Sequence, residues 1–155
     1  MIYDHEQSNP GLAFTLLAGA FGMLVVVLAT GEPGPIFGSA FLGMIAFVGF
    51  AFSGLRTSVG PDTIEVAFRF GRPHRTIALG QVVRAEVVRN KWWNGWGVRW
   101  IPGGTMWNVW GLDAVQLDLA GQRSFRIGTD DPDGLVAAIS VLRGAPGPDG
   151  RWDGS

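Results

Sequence analysis

The chain has 155 residues, enough for one domain and an appendage, and its 47% apolar residues stand against only 16% charged ones. No cysteine is present, which excludes disulfides, thiolate metal sites and thiol nucleophiles. The formal charge of −1 hides an asymmetry: all 12 Lys and Arg lie from Arg56 onward, while Asp4, Glu6 and Glu32 are the only charges before it. The part after residue 55 holds those 12 cations against 10 acids, too even a balance for a nucleic-acid binder.

Residues 1–10 read as an N-terminal tail. Gly11 to Thr30 is then a charge-free run of twenty residues, and at about 1.5 Å rise per residue it has the length of a bilayer core. A second uncharged run, Pro35 to Leu55, follows after Gly31-Glu32-Pro33-Gly34. The pair predicts a transmembrane helical hairpin over 11–30 and 35–55. A signal peptide would need a basic leader, and no basic residue precedes Arg56. At 100° per residue Gly11, Thr15, Ala18, Gly22 and Ala29 form one small-residue stripe, and Ser39, Gly43, Ala46 and Ser53 form another, so the two helices are expected to pack through these faces. Phe37, Phe41, Phe47, Phe50 and Phe52 are left for lipid or a partner helix. With no ionisable group inside either run, a transport pathway is not expected. The basic residues after the second run place both termini and the following domain in the cytoplasm.

From residue 56 the pattern becomes short β-type runs between turn residues. Thr63 to Phe70 alternates Ile64, Val66 and Phe68 against Glu65 and Arg69. Thr76 to Leu79, Val82 to Val88, Trp96 to Ile101, Thr105 to Trp110, Ala114 to Leu119 and Arg123 to Ile127 complete seven predicted strands. Asp131 as N-cap, Pro132 at the first position and Asp133 in the first turn open a C-terminal helix over 132–143. Its apolar stripe is Leu135, Ala138, Ile139 and Leu142, and Gly144 closes it. Residues 144–155 are Pro/Gly-rich and read as a disordered tail, with Trp152 unaccounted for.

Seven strands followed by one amphipathic helix, over 56–143, resemble the pleckstrin-homology fold. The order of TIEVAFRFG, TIALGQVVRAEVVR, WNGWGVRW and LDAVQLDLAGQRSFRIGTDDPDGL is similar to the PH-like domains of small bacterial membrane proteins, with the GWGVR and IGTDDP segments carrying most of the likeness. The fold class expected is therefore an α+β membrane protein. An N-terminal two-helix transmembrane hairpin would precede a seven-stranded PH-like β-barrel or sandwich capped by a helix. The resemblance implies a membrane-tethered binding or scaffold module of the bacterial inner membrane. Its expected partners are the bilayer and other integral membrane proteins, with self-association left open and no nucleic acid.

Six of the seven tryptophans fall between residues 92 and 110. Lys91, Trp92, Trp93, Trp96, Arg99, Trp100, Trp107 and Trp110 suit a headgroup-layer anchor or a partner-binding surface, and the same rings could instead fill the barrel. Arg69, Arg72 and Arg75, with His74, surround a turn where a PH domain would hold anionic head groups. They give a second reading, direct contact with anionic lipid. Asp130, Asp131 and Asp133 lack the glutamate of a calcium loop and suit helix entry. His5 and His74 have no serine or carboxylate beside them in sequence. No catalytic set, cofactor motif or metal-ligand spacing emerges, and the chain reads as non-enzymatic.

Overall fold

The computed structural model describes residues 2–9, 11–31, 34–91, 97–144, 146–147 and 149–152, with the backbone alone at residues 12, 13, 16, 34 and 35. The chain opens with a strand, β1 (Tyr3–Ser8), followed by helices α1 (Gly11–Thr30) and α2 (Gly34–Ala51). Strands β2 (Gly54–Val59), β3 (Thr63–Phe68) and β4 (His74–Ala78) come next. A 3-10 turn at Leu79–Gln81 then leads into β5 (Val82–Arg89). The remaining elements are β6 (Gly97–Ile101), β7 (Gly104–Asn108), β8 (Asp113–Leu119), β9 (Ser124–Gly128) and α3 (Pro132–Arg143).

The strands make two sheets, β1-β2-β3-β4 and β5-β8-β9-β7-β6. Nine described strands replace the expected seven-stranded barrel, and the two additions change the architecture. β1 pairs antiparallel with β2 from Tyr3↔Val59 to Ser8↔Gly54, so residues 3–8 of the expected tail over 1–10 form a strand, and the helical hairpin is an insertion inside a β-hairpin. In the second sheet every pairing is antiparallel except β7 with β9. That parallel pair approaches so closely that a Cβ on Gly104 would sit 1.8 Å from the Ser124 carbonyl oxygen. Glycine is required there because no side chain fits.

Alternation puts Leu55 and Val59, Ile64, Val66 and Phe68, Val115, Leu117 and Leu119, and Phe125 and Ile127 into one core between the sheets. Leu135, Ala138 and Ile139 of α3 join it. The α3 entry is built as its sequence predicts: Asp131 accepts from the Gly134 backbone N–H at 3.1 Å, and Pro132 stands at the first position.

The C-terminal segment returns to the body. Trp152 is only 5% exposed and belongs to the core; its indole N–H donates to the Gly144 carbonyl at 2.8 Å. Its backbone N–H donates to the Val83 carbonyl at 2.8 Å, so the segment covers the outer edge of β5. An uncovered edge strand invites pairing with other chains.

No helix among the described residues is long and apolar enough to cross a membrane. The expectations of an α+β membrane protein, of transmembrane helices, and of a bacterial inner-membrane location with cytoplasmic termini are corrected on this point. The second apolar run does not continue to Leu55: its helix stops at Ala51 after 18 residues, because Gly54 and Leu55 are taken by β2. That leaves about 27 Å of helix, with Gly34, Gly38, Gly43 and Gly49 diluting its apolar side chains.

Candidate functional site

The helical hairpin is the part of the molecule whose surface does not resemble an ordinary exterior. Phe14, Phe21, Leu28 and Phe37 are 64%, 68%, 77% and 81% exposed, and Phe41, Met44, Phe47, Val25 and Val26 add to the same surface. Helices that are apolar all round are normally covered, and contiguous exposed apolar surface beyond a few hundred Å² marks an interaction site. α1 and α2 bury little between them: Val27 and Ala46 are their only buried apolar residues among those described.

The expected small-residue stripes separate here. On α2, Ser39 and Gly43 are half-buried and Ala46 is buried, so this stripe lies on the inner side. On α1, Gly11, Thr15, Ala18, Gly22 and Ala29 are all exposed, and the inner side is marked instead by Ala20 and Val27. A Cβ on Gly22 or Gly43 would meet no atom within 4 Å, whereas one on Gly38 would press on the Met23 side chain at 3.1 Å. The close approach is therefore at Gly38, and the α1 stripe faces outward.

The hairpin root is fastened to the β body by an aromatic column. Phe52 meets Phe68 edge-on at 4.8 Å, Phe68 lies 5.5 Å from Trp107, and Trp107 is 5.5 Å from Phe125. Each such pair contributes about 0.5–1.5 kcal/mol beyond its buried area. A buttress stands beside the column: Phe70, after β3, stacks on Phe47 at 6.2 Å and meets Phe50 edge-on at 6.0 Å. Arg69 lies over the Phe50 ring at 4.7 Å and donates to the Ser53 hydroxyl at 3.2 Å. Ser53, expected on a helix face, sits just past α2 and is buried.

These contacts redefine the arginine turn. Arg69 clamps the root, and Arg75 lies over the Phe125 ring at 4.4 Å, so both guanidinium groups are engaged with the protein. Arg72 and His74 are exposed. The tryptophan-rich segment divides as well. Trp107 is buried in the core, Trp110 is about half exposed, and Trp100 is 79% exposed on the edge strand β6 beside exposed Arg99. Lys91 is exposed, and Trp92, Trp93 and Trp96 lie outside the described residues.

Between the root and the β6–β7 hairpin lies an open pocket of about 440 Å³. Val48, Gly49 and Phe52 form one wall, Val98, Val109 and Trp110 the other, and Asn9, Ser53 and Arg99 supply its polar groups. Sequence reasoning missed this pocket because its walls come from helix and strand segments about fifty residues apart.

Toward the other end of β1, away from Asn9, the strand meets the start of α3. His5 Nε2 is 2.5 Å from the Asp130 carboxylate, and the Tyr3 hydroxyl donates to Asp131 at 3.3 Å. Burial, reinforced by the Asp131 charge, pushes the Tyr3 hydroxyl up to about 12. Asp4 pairs with Arg56 across β1 and β2, and the hydrogen bond from that arginine holds its carboxyl below the usual range. His5 thus has a carboxylate partner that spacing could not reveal. The neighbouring groups are a helix cap and a phenol, and the arrangement ties β1 to α3.

A comparison of the chain with family models, with curated proteins and with solved structures finds no match in any of the three, so none of them identifies a PH-like domain.

Proposed function

We propose that this protein is a non-enzymatic binding module, in which the two-sheet body holds out the α1–α2 hairpin as a docking element for the apolar helices of another protein. The observation that carries this reading is the ring of exposed Phe, Leu, Val and Met side chains on both helices, joined to the β body at a packed root. Removing this surface from water is worth about 25 cal/mol per Å², so a partner that covers it gains strongly. The mount suits the role. The β1–β2 ladder, the Phe52–Phe68–Trp107–Phe125 column and the Arg69 clamp fix how the hairpin is presented, which lowers the ordering cost of docking. Engagement of Arg69 and Arg75 with Phe50 and Phe125 leaves the anionic-lipid reading with less support.

The test places a photoreactive amino acid at position 21 or 41 of the full chain in its native cells and maps the adducts. The expected result is one discrete adduct to an apolar helix of a single protein, lost in Phe37→Lys with the near-ultraviolet circular dichroism of the β body unchanged. Adducts to lipid alone, or a diffuse set of proteins indifferent to Phe37→Lys, would overturn the reading.

A further inference from the structure

We infer that the pocket at the hairpin root is a ligand site in its own right, for a single-chain amphiphile with an anionic head. Three observations converge on that class. The pocket, at about 440 Å³, lies in the size range of small-molecule sites and occupies the junction of two structural units, where such sites concentrate. Its walls are apolar on both sides: Val48 and Phe52 face Val98, Val109 and Trp110. An extended hydrocarbon chain fits such walls better than a sugar or a nucleotide, which would leave most of its polar groups unpaired.

The polar groups of the lining set the sign of the head. Asn9 and Ser53 are neutral, Arg99 is cationic, and among the described residues no carboxylate lines the pocket. Behind Ser53 stands a second cation, because the Arg69 guanidinium donates to the Ser53 hydroxyl. The Ser53 hydroxyl gives its own proton to the Phe50 carbonyl at 2.7 Å, so a carboxylate or phosphate monoester at this end is held by the Arg99 charge, with the Arg69 charge behind Ser53. An alkylammonium head would meet repulsion from both. A guest here touches α2, β6 and the segment after β7 together, so it bridges hairpin and body.

The experiment uses the full-length protein and a diazirine-bearing long-chain fatty acid. After irradiation the labelled residues are located by mass spectrometry. Label is expected on the peptides carrying Val48 to Ser53 and Val98 to Trp110. An unlabelled fatty acid should compete at least tenfold better than the alcohol of the same chain length. Val98→Trp, which fills the pocket from an exposed edge position, is expected to lower the labelling at least tenfold, and Arg99→Gln to remove the preference for acid over alcohol. Phe21→Lys, far from the pocket on the hairpin, is expected to leave the labelling unchanged, which separates this site from the docking reading. Label spread along α1 and α2 and indifferent to both pocket substitutions would overturn the proposal, as would equal competition by acid and alcohol.

Discussion

Trp152→Ala tests whether the C-terminal segment is structural. Truncating a buried tryptophan costs about 3–5 kcal/mol, and the lost indole hydrogen bond to Gly144 adds about 1 kcal/mol. Against this, the segment regains backbone freedom once released, at about 1–2 kcal/mol per residue. Only a few residues recover it fully, since the turn joining Gly147 and Arg151 is local. The net expected loss is about 2 kcal/mol, a drop of roughly 4–8 °C in Tm for a chain of this size. Thermal unfolding followed by far-ultraviolet circular dichroism measures it. If the segment acts through this one anchor, deleting residues 145–155 matches Trp152→Ala to within about 1 kcal/mol. A Trp152→Ala protein that melts with the parent, or a deletion without effect, would refute the reasoning.

Tyr3 is the only tyrosine, so phenolate absorbance reports on it alone. Its folded value of about 12 lies above the unfolded value near 10, so its contribution is fully present below pH ~10 and is lost as pH rises toward 12. The titration midpoint is expected near 12 in the folded protein and near 10 in urea, and Tyr3→Phe should remove this part of the alkaline destabilisation. Gly104→Ala drives a methyl into the Ser124 carbonyl and is expected to part β7 from β9, costing about 3 kcal/mol, seen as a lowered Tm and a weakened near-ultraviolet circular dichroism. Arg69→Ala removes a cation–π contact and the hydrogen bond to Ser53 at the price of about 0.5–1 kcal/mol. Hydrogen exchange is expected to quicken at residues 52–54 with the global Tm nearly unchanged.

The seven strands from Thr63 to Ile127 were legible because each carries an apolar alternation of its own, and α3 because Asp131, Pro132 and its stripe are local signals. β1 was not. Its inward residues are Tyr3, His5 and Gln7, polar groups whose partners are Asp131, Asp130 and the Trp110 carbonyl, more than a hundred positions away. β2 does alternate, with Leu55, Thr57 and Val59 inward, but it begins within the apolar run of α2 and its first residues were absorbed into the helix. The parallel pairing of β7 with β9 leaves no mark except Gly104, whose reason is a distant carbonyl. For the candidate site, Phe37, Phe41 and Phe47 were visible as a surface in search of a cover, whereas Phe50 and Phe52, expected on the same surface, pack into the root against Phe70, Arg69 and Phe68. The α1 stripe misled because small residues permit close approach without specifying who approaches. At the arginine turn, charge in a sequence says nothing of the ring a guanidinium will lie on, which here is Phe50 for Arg69 and Phe125 for Arg75.

The insertion of α1 and α2 between two paired strands also bears on the order of assembly. The ladder from Ser8↔Gly54 and the bond from the Asn9 N–H to the Ser53 carbonyl, 2.8 Å, close an excursion of roughly 45 residues. For a random coil that closure carries an entropic cost, whereas a helical hairpin returns its two ends to the same place. Helices form in about a microsecond, faster than strands pair, so the hairpin acts as a built-in jig that brings β1 to its slot on β2. Seating β1 on β2 also sets Tyr3 and His5 against the start of α3. The segment that presents the apolar surface to others is therefore also the one that completes the protein's own sheet.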